Sequence, residues 1–521
     1  MQTGSIRRFP GHVALTEFVL SLLLASGFVL GSSANSTTSR LLSDLARRGL
    51  GGAVDCTTPP PPDPDKGFLR NFFQSCYTLP FLTGLGGRGA GGDTNATYDV
   101  MYYRVDAGYE LIVVAEYPQA RFLSITAYDD HNAVADWVSD SRLMPLSSQF
   151  QNPFEPGATF REDQLYAVTV SFGGNPPDPG AIGPGCELDF DLQANTIDAT
   201  RRHQGGSWNE EPSLPAWVPP HDDVGPSRAG FIMGRRYLRG EDAGAVQLSD
   251  PQLIVRDLSD GCAVPRHTVL DVLHLFTYDP AVAESWSDVT QNQVHHWYEN
   301  DFLPLYCRGP DPGNAVLWHR EPEWFPGANP DAVGLKGAIG NGVVDQVIAE
   351  GRCMRLRFRL PVTAKLPCPD CSLSSAEELR YWSLSFTTDG GATVFTSIAD
   401  QALVADADGF VTLIVGFGAT PPAYVDAEHG YTFLDLSRFE RFQELSMLVG
   451  RFILPDLEFK CSPALIPFRT AEHHSLGGFM GEFAPLVDFP AGDAIPEFAT
   501  PLSQEDSCGL IPPEPTHSCS P

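Results

Sequence analysis

From residue 98 the chain alternates apolar and polar side chains with a period of two. The runs YDVMYYRV, YELIVVAEY and RFLSITAYDD are strand-length and rich in Tyr, Val, Ile and Phe, and they are parted by Asp-Ala-Gly and by Pro. LYAVTVSF, FIMGRRYL and LIVRDL follow in the same manner. A period of two predicts half-buried β-strands, since successive side chains leave a strand on opposite faces. No helical pattern alternates with these runs, so an antiparallel sandwich or jelly roll is expected rather than a parallel α/β sheet.

The pattern is written twice. DQLYAVTVSFGGNPP (163–177) returns as DGFVTLIVGFGATPP (408–422), ARFLSITAYD (120–129) as LRYWSLSFTT (379–388), and GRRYL (234–238) as GRFIL (450–454). Three matches in one order predict a duplicated β module, because chance similarity between strands would not preserve the order. Within the doubled phrase, Asp408-Gly409 is a turn pair, a strand is expected to follow it, and Gly-x-x-Pro-Pro ends the ladder. The phrase therefore encodes architecture rather than chemistry.

Outside the modules the patterning changes. Residues 1–34 read as an export signal, in which Arg7 and Arg8 precede the apolar run FVLSLLLASGFVL and the small residues Ser32, Ser33 and Ala34. The run is too short for a comfortable transmembrane helix. A short helix and a Pro-rich linker (TTPPPPDPD) occupy 35–65, the first unit 66–262, a helical connector 263–328, the second unit 329–488, and a Pro- and Cys-containing tail 489–521. The expected fold class is thus all-β: two related antiparallel sandwich, jelly-roll-like units with a helical connecting segment.

Composition narrows the partners. With 34 Lys and Arg against 65 Asp and Glu, the formal net charge is −31. Such a surface repels phosphate backbones, so a nucleic-acid partner is excluded. No later segment is apolar enough to span a bilayer as a helix. Export would place the 11 cysteines in an oxidising compartment, where Cys353 and most of the others are disulfide candidates. Cys368 and Cys371, as CPDC, are expected to form a disulfide within a loop. The sequon at Asn95 is a glycosylation candidate.

Several stretches together resemble a group of secreted, mostly bacterial proteins of unknown function: PQARFLS (118–124), NPFEPGA (152–158), NPDAVGLKG (329–337), RYWSL (380–384) and FILPDLEF (452–459). The resemblance implies jelly-roll-like β modules and brings neither catalytic residues nor a substrate.

Candidate chemistry is sparse. YDDHNAVADW places Asp129, Asp130 and His131 just past a strand, a pattern suited to an acid/base pair or to a hard cation such as calcium. The competing reading is a solvated turn. His295 and Glu299 would share a helix face as two ligands or as a polar surface. ADADG (405–409) lacks the later ligands of a calcium loop, and a hairpin turn explains it. GLGGRG (84–89) has nucleotide-loop letters without the preceding strand, so a flexible loop is expected there. No cofactor is expected. Arg121 and Arg380 occupy the same place in both repeats and need a carboxylate, a carbonyl or a ligand. A salt bridge inside each half is the favoured role. The functional expectation is a binding protein that holds a glycan or small ligand between the units, with Arg121, Arg380, Tyr102, Tyr103 and Trp382 contributing. The alternatives are an extracellular hydrolase or lyase, and a structural envelope protein.

Overall fold

A computed structural model describes residues 79–86, 92–129, 134–173, 195–200, 228–239, 251–273, 316–320, 329–339, 343–363, 378–388, 393–439, 441–455, 459, 462–463 and 480–490, with short gaps inside some of these spans. The first unit contains β1 (Leu79–Pro80), β2 (Leu82–Gly86), β3 (Ala96–Arg104), β4 (Tyr109–Glu116), β5 (Ala120–Asp129), β6 (Val134–Ser139), β7 (Leu165–Ser171), β8 (Thr196–Asp198), β9 (Ala229–Arg239) and β10 (Gln252–Asp257). The second contains β11 (Val316–Arg320), β12 (Ala332–Ile339), β13 (Met354–Arg359), β14 (Leu379–Thr388), β15 (Thr393–Ala399), β16 (Phe410–Gly416), β17 (Tyr431–Asp435), β18 (Met447–Pro455) and β19 (Leu486–Asp488). Two helices are described, α1 (Arg266–Val272) and α2 (Val343–Ala349). Residues 316–320, inside the stretch expected to connect the units, form an edge strand paired with β12. Likewise Gly84 to Gly86 of the GLGGRG stretch belong to β2 rather than to a loop.

Each unit is a sandwich of two sheets, and the two units repeat one topology. The sheet β2-β3-β9-β5-β6 of the first unit corresponds to β11-β12-β18-β14-β15 of the second. The facing sheet β10-β4-β7-β8 corresponds to β19-β13-β16-β17, and the first unit adds β1 at its edge. Even the exceptional parallel pairs recur: β7 with β8, and β16 with β17. The doubled phrase supplies β7 and β16, and GRRYL and GRFIL lie on β9 and β18, all at equivalent positions. Duplication of a sandwich unit, expected from the repeats, is what the sheets show.

Alternation sets the cores. On β5, Leu123, Ile125 and Ala127 enter the core of the first unit, with Val113, Val168 and Val255 opposite. On β14, Trp382, Leu384 and Phe386 enter the core of the second, with Leu356, Leu413 and Val415. An antiparallel strand of a lone sandwich is solvated on its outer face. Yet every residue of β5 and of β14 is buried. The reason is that the outer faces of these sheets pack on each other, through a cluster of Ala96, Phe122 and Tyr237 with Tyr381, Ala399 and Ile453.

Arg121 and Arg380 hold this junction by crossing it. Arg121 at the start of β5 pairs with Asp400, in the 3-10 turn after β15, at 2.5 Å. Arg380 at the start of β14 pairs with Asp140, in the equivalent turn after β6, at 3.3 Å. Each guanidinium also donates to the other arginine's carbonyl, Arg121 to Arg380 O at 3.0 Å and Arg380 to Arg121 O at 3.3 Å. The bridges therefore run between the halves, not within each half as expected. A bridge inside one unit would have left a charged pair facing the other unit, whereas crossing satisfies both.

Close packing inside the second unit depends on Gly337, which lies opposite Trp318 in the ladder of β11 and β12. A Cβ there would come within 2.6 Å of Val316 Cγ1 and 2.7 Å of the Trp318 ring. Gly337→Val is expected to destabilise the protein by about 1–3 kcal/mol through overpacking, read as a lower urea midpoint. An unchanged midpoint would show that the Trp318 ring relaxes without cost.

Candidate functional site

The junction is polar as well as aromatic. Asp93, ahead of β3, accepts hydrogen bonds from Tyr381 Oη at 2.7 Å and Ser383 Oγ at 2.5 Å, both on β14. Thr94 and Ser397 exchange reciprocal bonds, Thr94 N to Ser397 Oγ at 3.0 Å and Ser397 N to Thr94 Oγ1 at 2.8 Å. Arg451 on β18 donates to Ser385 Oγ at 2.7 Å. The rings of Tyr237 and Tyr381 lie 5.1 Å apart. Burial pushes the phenols of Tyr98, Tyr237 and Tyr381 above their ordinary range, and the charge of the neighbouring Asp93 adds to it, opposed at Tyr98 by the Asp93 backbone N–H. This seam has the residues of a binding site with its polar groups turned on one another.

Beside the seam, Trp137 on β6 donates its indole N–H to Asp331 Oδ1 at 3.0 Å, joining the first unit to the residue before β12. Asp331 is buried, and its Oδ2 has no hydrogen-bond partner. Burial, reinforced by Asp140, pushes its carboxyl up to about 7.

A cleft of about 310 Å³ opens on the first unit, where β4, β10 and α1 meet. Tyr109, Asp257, Asp260, Thr268, Asp271 and Val272 line it. Asp257 Oδ1 accepts from Ser259 N at 2.8 Å, and Asp260 Oδ1 accepts from Cys262 N at 2.9 Å, so both acids shape the turn that forms the wall. Burial and then Asp257 push the Tyr109 phenol above its ordinary value.

The expected ligand-binding residues are dispersed. Trp382 is 1% exposed and packs between Phe358 and Phe452 in the core. Tyr103 is equally buried against Phe172, with its hydroxyl donating to Tyr128 O at 3.4 Å. Tyr102 is half-buried beside Phe231. Arg121 and Arg380 are engaged in the crossed pairs. Asn95 lies in the junction, its Nδ2 donating to Asp93 Oδ1 at 3.2 Å and to Ser397 O at 3.3 Å. Asp129 is buried at the end of β5. Asp130, His131, His295, Glu299, Cys368 and Cys371 lie outside the described residues. Cys353, expected among the disulfide candidates, is a free thiol.

Sequence reasoning missed Asp93, Asp140, Asp400 and Asp331. A signal existed for two of them, since Asp140 and Asp400 follow equivalent strands of the repeat. Asp331 lies in the Asn-Pro-Asp segment, where the only sequence signal is the family resemblance. Among the described residues no group of three or more His, Cys, Asp or Glu is placed to hold a metal ion. Nor is any described helix long and apolar enough to cross a membrane.

No protein-family model and no curated protein matches the chain. Among solved structures it is similar to an uncharacterised protein from Burkholderia cenocepacia, at 11% identity and a TM-score of 0.43 over 92% of this chain and 96% of that one. It is also similar to the VPA0106 protein from Vibrio parahaemolyticus, at 11% identity and a TM-score of 0.35 over 71% of this chain and 87% of that one.

The seam makes a prediction for alkaline pH. A phenol whose folded pKa is raised stabilises the fold fully below about pH 10, and that stability is lost as pH rises beyond it. In an ultraviolet-monitored titration, Tyr98, Tyr237 and Tyr381 are expected to ionise only as secondary structure is lost. Ionisation of all 15 tyrosines while the fold persists would contradict the burial described.

Proposed function

We propose that the chain is a secreted, non-catalytic binding protein that holds a small neutral or amine-bearing saccharide in the cleft beside Tyr109. The cleft itself carries this reading: about 310 Å³ of open space bounded by one aromatic ring, one hydroxyl and three carboxylates. That volume is at the lower end of small-ligand sites. Sugar hydroxyls donate to carboxylates, and the apolar face of a pyranose packs on an aromatic ring. Asp260 and Asp271 are exposed, so they meet a ligand without a large desolvation cost. Three acids together with a net charge of −31 repel anionic ligands. Export is part of the same proposal and is supported by the apolar run at 18–30 and the small residues behind it. The resemblance to secreted β-module proteins agrees with it. The rigid two-unit body then serves as scaffold, with the junction closed by its own side chains rather than by ligand.

The test is calorimetric titration of the full chain against a panel of neutral and amino mono- and disaccharides. At least one is expected to bind, and Tyr109→Ala to weaken it about tenfold through loss of the stacking face. Absence of binding across the panel would sink the proposal, as would a bound sugar indifferent to both Tyr109→Ala and Asp271→Asn.

A further inference from the structure

The Trp137–Asp331 contact is more than one further bond across the junction. Asp331 is held in place from three sides. Its own N–H bonds to Asn329 Oδ1 at 3.2 Å, and Ala332 N closes the same turn on Asn329 O at 3.0 Å. Its carbonyl accepts from Leu454 N at 2.8 Å. Leu454 adopts φ 45°, a left-handed conformation that costs a leucine on the order of 1–3 kcal/mol and persists only where surroundings enforce it. The side chain so positioned is 4% exposed, with one carboxyl oxygen on Trp137 and the other unpartnered.

A buried carboxylate with one hydrogen bond and, among the described residues, no ion pair pays heavily for burial, so the neutral acid is favoured. The charged groups facing it are Asp140, which favours the neutral form, and Arg142 and Arg235, which oppose it together with the Trp137 N–H. Arg142 is itself occupied by Trp137, stacked 5.3 Å from the ring and donating to Trp137 O at 3.1 Å. Asp140 already answers to Arg380.

We propose that Asp331 is a proton-operated latch between the two units. Neutral, it lets β6 and β12 close over it; ionised, it loosens that edge of the junction. The pKa near 7 sets the working range. Folded Asp331 binds its proton more tightly than unfolded Asp331 does. Its contribution is therefore complete below about pH 4 and is lost as pH rises through about 7. Asp331 belongs to neither crossed arginine pair, so the effect is local to the edge rather than a separation of the units.

Hydrogen–deuterium exchange of the full chain at about pH 6 and about pH 8 reads the latch, once intrinsic rates are corrected for. Peptides from β6 and the start of β12 are expected to exchange on the order of tenfold faster at the higher pH. In Asp331→Asn, which keeps the shape and cannot ionise, that difference disappears. Trp137→Phe removes a donor that favours the carboxylate and moves the midpoint upward. Infrared difference spectroscopy needs no variant and should show a buried carboxylic C=O band vanishing with a midpoint near 7. A pH-independent wild type, an unchanged response in Asp331→Asn, or no such band would each overturn the proposal.

Discussion

Two buried arginines set the form of this molecule. Arg121 and Arg380 begin the central strands β5 and β14, and each reaches across to a carboxylate of the other unit. A buried charge without a partner costs several kcal/mol, so neither sandwich is complete without its neighbour. Burial pushes the carboxyl of Asp140 up, against the pull of Arg380. The guanidinium-to-carbonyl bonds between the arginines fix the register at which the units meet. Through that constraint the outer faces of two sheets, which would otherwise be solvated, become an interior.

That interior differs in kind from the two sandwich cores. The cores are aliphatic and aromatic, whereas the junction carries Asp93, Arg235, Arg451, serines and a set of tyrosines. It follows from what the duplicated strand must do. One face of β5 or β14 packs against its own facing sheet, and the other meets a copy of a similar surface. A pair of uniformly apolar faces would be indifferent to register, while hydroxyls and carboxylates that must find partners admit few alignments. The Trp137–Asp331 contact sits at the edge of this layer, where a single hydrogen bond offsets only part of the cost of burial.

Much of the architecture was legible in the chain. The period-two runs named the strands, and the doubled phrase landed on β7 and β16, equivalent strands of equivalent sheets. Arg121 and Arg380 stood out because an arginine at the head of an apolar strand demands an explanation. Their partners did not stand out. Asp140 and Asp400 lie on turns, where an acidic residue is unremarked, and local sequence cannot say that a bridge crosses between units. The same limit misplaced Trp382 and Tyr103: period-two patterning gives two faces to a strand but not which one meets a ligand, and both rings face a core. Tyr109 and the carboxylates of the cleft are far apart in the chain and converge only when β4, β10 and α1 meet.

The central claim is that the crossed pairs lock the units into one body, and a double-mutant cycle on Arg121 and Asp400 tests it most directly. Arg121→Ala and Asp400→Ala are each predicted to cost about 3–5 kcal/mol in urea unfolding. The double variant should cost well below their sum, giving a coupling energy of about 1.5 kcal/mol or more. Single effects that simply add, with coupling near zero, would contradict the account.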